Sequence, residues 1–153
     1  MTLRELIHQS TFASPAHETM LNVLATESWL SNEVARALAP HGITPAQYNV
    51  LRILRGQHPG RYACSDVGER LLDRTPDVTR LLVRLEGRGL VERKRAVHDR
   101  RVVEVCITPA GLDLLSQIDS PLDEAIARMG RHLTDAEHAE LSRLLERLRT
   151  DQE

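Results

Sequence analysis

The sequence marks the beginning of three helices with the same pair of residues, a threonine followed directly by a proline. A threonine hydroxyl can accept a hydrogen bond from the first turn of a helix. Proline suits the first helical position because its φ is fixed and its missing N–H would have no partner there. These starts divide the chain into helical segments joined by short connections. The pairs are Thr44-Pro45, Thr75-Pro76 and Thr108-Pro109.

Two capping boxes add to these starts. Gln47 follows Thr44 by three residues and Glu137 follows Thr134 by three, so that each side chain can accept a hydrogen bond from the other residue's backbone N–H. Behind the caps, leucine and valine recur every three or four residues. We predict helices over residues 17–39, 44–56, 64–72, 75–88, 109–131 and 134–150.

The pattern changes from helical to extended between the fourth and fifth of these helices. Leu90–Val97 and Val102–Ile107 are rich in β-branched residues and flank a charged segment, His98–Arg101, which predicts a two-stranded hairpin. Gly89 is placed to end the preceding helix. The sequence therefore predicts a mainly α fold with a small β-hairpin wing, a winged helix-turn-helix. The second helix of such a motif enters the DNA major groove.

Two apolar stripes are longer than a small core needs. They lie within residues 18–39 and 112–133, on either side of the predicted winged helix. Surplus apolar surface of this kind favours burial against a second copy of the chain, through N- and C-terminal dimerisation helices. The alternative is that both stripes fold back on the winged helix within one chain.

Positive charge is concentrated in one part of the chain. Residues 70–101 contain ten Lys and Arg against five Asp and Glu, a charge of +5, whereas the other 121 residues carry −7. A basic segment in an acidic body favours a polyanion bound at one face. The alternative is a solvated helix face with i,i+4 charge pairs.

Within the helix predicted over 75–88, apolar and charged residues occupy different faces. Val78, Leu82 and Leu85 share one face at spacings of four and three residues. On another face, Arg80 or Arg84 can offer guanine O6 and N7 a planar pair of donors, unless these arginines are incidental to an exposed helix. At the hairpin tip, a wing arginine suits a narrow minor groove, and Asp99 can hold either that guanidinium or the turn.

Three segments resemble the MarR family of bacterial and archaeal transcriptional regulators. They are Ile43–Leu54, Asp77–Arg93 and His98–Gly111. The resemblance implies a homodimer whose terminal helices intertwine and whose two winged lobes read the halves of a palindromic operator. It implies one domain over residues 1–153, with a DNA-binding lobe at about 40–108 and dimerisation helices at about 10–39 and 109–153.

The resemblance also assigns DNA-binding roles by motif position. It places Pro76, Asp77, Thr79, Arg80 and Arg84 in the major groove, Arg74 and Thr75 near the phosphate backbone, and Asp99 and Arg101 on the wing, with Ser65 as a further phosphate contact. The chain departs from the usual pattern at three places. Ala63 stands where a Thr or Ser cap is common, so the helix start is expected to be shifted or frayed, or capped by Cys64 or Ser65. Gly68 replaces a usual alanine, and Ser120-Pro121 is expected to interrupt and kink the helix over 109–131.

The predicted function is that of a sequence-specific regulator that represses transcription, with activation left open. The resemblance adds release by a small aromatic or phenolic effector, for which Trp29, Tyr48 and Arg52 are the corresponding pocket residues unless the two rings are ordinary core residues. Cys64, near a helix N-terminus, is a candidate for a lowered pKa, although two unreactive thiols are the alternative. The alternative function is a protein-interaction module that uses the winged-helix fold without DNA.

Several classes of function find no support in the sequence. It contains no catalytic, nucleotide-binding or Cys-x-x-Cys motif, so we expect neither an enzyme nor a cofactor. His132 and His138 are six residues apart, which is not a compact ligand spacing, and no metal site is predicted. No apolar run is long enough to cross a membrane, which together with two cysteines 42 positions apart predicts a cytoplasmic protein.

Overall fold

The computed structural model describes residues 2–72, 77–97 and 99–150. Over these residues the chain forms seven α-helices, a 3-10 turn at Ala39–His41 and three short strands, which confirms the predicted fold class. The helices are α1 (Leu3–Ile7), α2 (Pro15–Leu38), α3 (Pro45–Gln57), α4 (Cys64–Arg70), α5 (Val78–Gly87), α6 (Pro109–Gly130) and α7 (Asp135–Leu148). The strands are β1 (Tyr62–Ala63), β2 (Val91–Arg95) and β3 (Val103–Ile107).

Three of the predicted helix starts are confirmed by their hydrogen bonds. The hydroxyl of Thr44 accepts from the N–H of Gln47 at 3.2 Å, while the side-chain oxygen of Gln47 accepts from the N–H of Thr44 at 3.0 Å. Thr134 begins α7 with the same reciprocal pair. Thr108 begins α6, and its hydroxyl accepts a hydrogen bond from the N–H of Gly111 at 3.1 Å. These interactions are local in sequence, and they form without help from distant residues.

The start of α5 differs from the prediction. Thr75 and Pro76 lie outside the described residues, but Asp77 has an extended backbone (φ −67°, ψ 94°) and is the N-cap, so the helix begins at Val78. The Asp77 carboxylate accepts a hydrogen bond from the N–H of Arg80 at 3.1 Å. An aspartate caps as well as a threonine does, so the helix can begin at this later residue.

The start of α4 also differs. Ala63 is its N-cap and provides no side-chain hydrogen bond, because alanine has no acceptor beyond its backbone. Cys64 and Ser65 are already helical, so neither caps the helix as expected. Gly68 has a role at this helix: a Cβ at this position would lie 3.2 Å from Cγ2 of Val78. The glycine therefore allows α4 and the start of α5 to approach closely.

The wing is part of a three-stranded antiparallel sheet rather than a two-stranded hairpin. The strand order is β1-β3-β2, with Tyr62 opposite Val105 on one side of β3 and Arg93 opposite Val105 on the other. The predicted two-stranded sheet is therefore incomplete. β1 has two residues, too few to show the alternation by which a strand is recognised in sequence.

The core joins all parts of the winged lobe. Leu51 and Leu54 of α3, Leu82 and Leu85 of α5, and Val105 of β3 are almost completely buried. The predicted apolar face of α5 is thus confirmed. Its C-terminus is closed by Gly89, which has a φ of +69°. The N–H groups of residues 89 and 90 return to the carbonyls of residues 86 and 85, a motif that favours glycine at this position.

Helix α6 runs through Pro121 without the predicted interruption. It is continuous from Pro109 to Gly130, although Pro121 lacks an N–H to donate to the preceding turn. Buried side chains on both sides of the proline, Ile118 and Leu122, hold the helix against the rest of the chain. Tertiary packing therefore outweighs the local break signal, while the bend itself stays a prediction. None of the helices in the described part of the chain is long and apolar enough to span a membrane.

Candidate nucleic-acid interface

Helix α5 presents a polar, basic face on the side away from the core. Thr79, Arg80, Val83 and Arg84 are exposed, whereas Leu82 and Leu85 are buried. This separation follows from the helical period, since residues four apart share a face. The helix therefore offers side chains over its first two turns to a partner without exposing the core.

Asp77 restrains the first arginine of this face. One carboxylate oxygen caps the helix, and the other lies 3.2 Å from Nε of Arg80. The Arg80 side chain is nevertheless 81% exposed, and the contact with Asp77 uses neither of its terminal amino groups. Those two groups form the planar pair of donors that fits guanine O6 and N7. Asp77 thus lies in the predicted region, with its carboxylate engaged by the protein.

At the tip of the wing, Asp99 shapes the turn. Its carboxylate accepts a hydrogen bond from the backbone N–H of Arg101 at 2.9 Å, and its carbonyl accepts from the N–H of Val102 at 3.0 Å. Of the two roles open to Asp99 in the sequence, these contacts support holding the turn. The Arg101 side chain is exposed beyond it. Arg95 and Arg100 add two more guanidinium groups, lining an open cavity of about 390 Å³ near the tip of the wing.

Two contacts with other elements hold α5 in place, and sequence reasoning missed both. Arg93 of β2 donates to Glu86 of α5 from its backbone N–H (3.3 Å), Nε (2.9 Å) and Nη2 (2.5 Å). Arg88 donates to the carbonyls of His41 (3.2 Å) and Gly42 (2.6 Å), in the turn before α3. The three hydrogen bonds between Arg93 and Glu86 link α5 to the wing, so the two basic surfaces keep a defined separation.

A second ion-pair cluster stiffens the sheet that carries the wing. Glu92 of β2 lies 2.7 Å from Lys94 and 2.8 Å from Arg61. Hydrogen bonds from these two cations lower the pKa of Glu92 to about 2. The hydrogen bonds from Arg93 lower the pKa of Glu86 as well. Glu92 therefore stays charged well below its ordinary titration range, and the pKa of Glu86 is shifted in the same direction.

We expect these pairs to make the lobe sensitive to acid. A carboxylate whose pKa is lower in the folded state stabilises the fold above its unfolded pKa, near 4.5, and loses that contribution as the pH falls toward about 2. The thermal midpoint should therefore decrease as the pH is lowered from 4.5 to 2. In a Glu92→Gln variant this decrease should be less steep. Circular dichroism melts across this range measure the difference. Equal pH slopes for the two proteins would show that Glu92 contributes nothing to acid stability.

The remaining predicted DNA contacts are divided between described and undescribed residues. Arg74, Thr75 and Pro76 lie outside the residues that the structure describes. Ser65 is exposed in the first turn of α4, and its hydroxyl donates to Asp66 at 3.3 Å. The structure thus brings Asp77, Thr79, Arg80 and Arg84 together on α5 and places Asp99 and Arg101 at the wing tip.

The residues predicted for an effector pocket are only partly brought together. The Arg52 guanidinium lies 5.9 Å from the centre of the Tyr48 ring, on the same helix. Tyr48 is half-buried, and burial raises its pKa. Beside them Arg55 contacts Asp119 of α6 at 2.7 Å, joining the lobe to that long helix. Trp29 lies on α2, is 46% exposed, and does not stack on Tyr48 among the described aromatic residues.

Of the two alternatives for Cys64, the structure does not support a lowered pKa. Burial raises the pKa of this thiol, and the opposing influence of the Arg93 guanidinium is smaller. The thiolate of a half-buried cysteine loses hydration, and here that loss outweighs the attraction of the nearby guanidinium.

Comparison with known proteins gives one consistent result. A sequence profile described as MarR family matches residues 41–102. An HTH-type transcriptional repressor of Mycobacterium bovis is 30% identical over 122 residues, covering 80% of this chain and 86% of the relative. The crystal structure of a MarR transcription factor from Planctomyces limnophilus is 38% identical, with a TM-score of 0.70 over 89% of this chain and 98% of that one.

A further solved structure contains DNA. It is a mutant MarR from Escherichia coli complexed with operator DNA, 25% identical, with a TM-score of 0.79 over 91% of this chain and 99% of that one. These relatives are transcription regulators rather than enzymes. Together with the winged helix-turn-helix fold and the basic face of α5, they show that the chain belongs to the MarR family of DNA-binding transcriptional regulators.

Proposed function

We propose that this protein represses transcription in the cytoplasm by binding a palindromic operator as a homodimer, and that a small aromatic or phenolic effector releases it. The observation that carries the DNA contact is the exposed arginine face of α5, held to the wing through Arg93 and Glu86. Repression is supported by the relatives, since the Mycobacterium bovis protein is a transcriptional repressor.

Charge distribution supports the same proposal. The described arginines of α5 and the wing are exposed at Arg80, Arg84, Arg95, Arg100 and Arg101. A chain with a net charge of −2 that concentrates cations on one face directs that face toward the phosphate backbone. Phosphate contacts release counterions, so the affinity depends on salt.

Selection of bound sequences from a random duplex pool tests this function directly. We expect a palindrome with half-sites about one helical turn apart, because each protomer of a two-fold dimer reads one half. Affinity for the selected site should fall steeply as salt rises. A pool in which no sequence is enriched, from protein refolded to strip any ligand, would reject the proposal and favour the protein-interaction alternative.

The homodimer is supported by the apolar surface of the terminal helices. All of α7 lies within the described residues, and none of its side chains is buried. Leu141, Leu144 and Leu148 form one stripe, and between 45% and 60% of each side chain is exposed. Met20 and Leu24 of α2 and Ile126 of α6 are exposed to a similar degree. Such a surface on several helices is typical of an interface with a second copy.

We expect a Leu141→Glu, Leu144→Glu double variant to shift the protein from dimer to monomer, because two carboxylates would have to be buried at the interface. Light scattering during size-exclusion chromatography measures the mass. Leu72→Glu is the matched control, since Leu72 is also exposed but lies in the winged lobe. A double variant that elutes as a dimer, or a natural chain that elutes as a monomer, would contradict the proposed assembly.

The effector proposal rests on Tyr48 and Arg52. An aromatic ring beside a guanidinium suits an aromatic carboxylate, which can stack on one group and pair with the other. Trp29 is a third candidate on α2. Thermal-shift screening of phenolic acids against the natural chain and Arg52→Ala tests the site. No shift from any compound, or equal shifts in both proteins, would reject it.

A further inference from the structure

The exposed face of α5 consists of two parallel rows with different chemistry. Thr79 and Val83 are four residues apart and carry methyl groups, while Arg80 and Arg84 are four apart and carry guanidinium groups. Residues at this spacing lie above one another on a helix surface, separated along the axis by roughly 6 Å. Each row therefore presents one kind of chemistry along the first two turns.

Val83 is not required by the core. Val83 is 49% exposed. The side of the helix that faces the lobe is instead filled by Leu82 and Leu85, which are completely buried. Arg84 follows Val83 directly, and Arg80 lies one turn before it. An aliphatic side chain among arginines stays half in water unless a ligand with both apolar and anionic groups covers it.

Double-stranded DNA combines those two kinds of group in its major groove. The thymine 5-methyl is the apolar group among the base edges there, and guanine O6 and N7 are the acceptors that match arginine. We propose that Val83 is a specificity-determining residue that packs against the 5-methyl group of a thymine in each half-site. This inference rests on the proposed operator binding, and it adds the base that α5 reads by apolar contact.

The geometry also limits where that thymine lies. The carboxylate of Asp77 lies 3.2 Å from Nε of Arg80, and this contact restrains the position of the Arg80 guanidinium. Val83 follows Arg80 by three residues, which is roughly 4.5 Å along the helix axis, compared with about 3.4 Å between stacked base pairs. The thymine contacted by Val83 therefore lies within two base pairs of the guanine contacted by Arg80.

Replacing thymine by deoxyuridine in the selected operator tests the contact, since it removes the methyl group alone. Each thymine is replaced in turn, and binding is measured for the natural chain and for Val83→Ala. At one position per half-site we expect deoxyuridine to weaken binding by the natural chain about fourfold, the value for burying one methyl-sized group. Val83→Ala should bind the thymine and deoxyuridine sites equally at that position.

Val97→Ala is the matched control. Val97 is an equally small aliphatic residue, fully exposed on the wing, and the minor groove that a wing enters displays no thymine methyl. This variant should keep the full response to deoxyuridine. If Val83→Ala keeps it too, or if the natural chain responds at no position, the inference about Val83 is overturned while operator binding stands. If no operator is enriched in the first place, the proposed function and this inference fall together.

Discussion

Replacing Gly111 with alanine is expected to lower the free energy of unfolding by about 3 kcal/mol or more, because the new side chain would overlap atoms that cannot move cheaply. A Cβ at this position would collide with the backbone carbonyl oxygen of Leu90 and lie 2.7 Å from Cγ1 of Ile107. The carbonyl of Leu90 already accepts a hydrogen bond from the N–H of Thr108 at 3.1 Å. Relief of the overlap therefore requires that hydrogen bond to stretch or the first turn of α6 to move.

Gly111 lies where the winged lobe meets the long helix α6, so the overlap would disturb the packing between them. Urea denaturation followed by circular dichroism measures the loss. Gly56→Ala is the matched control: it lies in α3, and a Cβ there would have no neighbour within 4 Å. We expect this control to gain about 0.5 to 1 kcal/mol from helix propensity. A Gly111→Ala protein as stable as the natural chain would refute the packing described for this junction.

Replacing Arg80 with alanine is expected to cost about 1 to 3 kcal/mol of binding free energy per half-site on the selected operator, because a bidentate guanine contact is lost. The variant should also accept other base pairs at that position. Its fold should be unaffected, since the Arg80 side chain is 81% exposed and its ion pair with Asp77 lies at the surface. Binding to the selected site and to single-base variants of it, at fixed salt, measures both effects.

Two further arginine variants serve as comparisons for Arg80→Ala. Arg101→Ala, at the wing tip, should weaken binding to all sequences more evenly, because a wing arginine responds mainly to phosphate charge and groove width. Arg143→Ala, on α7, should leave binding unchanged; Arg143 pairs with Glu140 on the same helix, outside the winged lobe. If Arg80→Ala binds the selected site as tightly as the natural chain, α5 is not the helix that reads the bases.

Sequence reasoning succeeded where the relevant interactions are local. Thr44, Thr108 and Thr134 cap their helices as expected, and each of them contacts a residue three positions away. The two faces of α5 follow from the helical period alone. The same reasoning failed at the start of α5, where the cap is Asp77, two residues after the predicted start at Thr75. The interruption predicted at Pro121 is also absent, because long-range packing opposes the local break signal there, while the bend stays a prediction.

Local chemistry thus decides which segments are helical, where most of them begin and which face of α5 is basic, because caps and periodicity act over three or four residues. The tertiary structure alone decides how those pieces are set against one another. Contacts such as Arg93 with Glu86 and Arg55 with Asp119, 64 positions away, join different elements, and no pattern in the chain marks them as partners. The pairing of β1 with β3 and the raised pKa of Cys64 likewise depend on residues that are distant in the sequence. Pairing and burial depend on which distant residues arrive beside a group, and the order of residues along the chain does not specify that by itself.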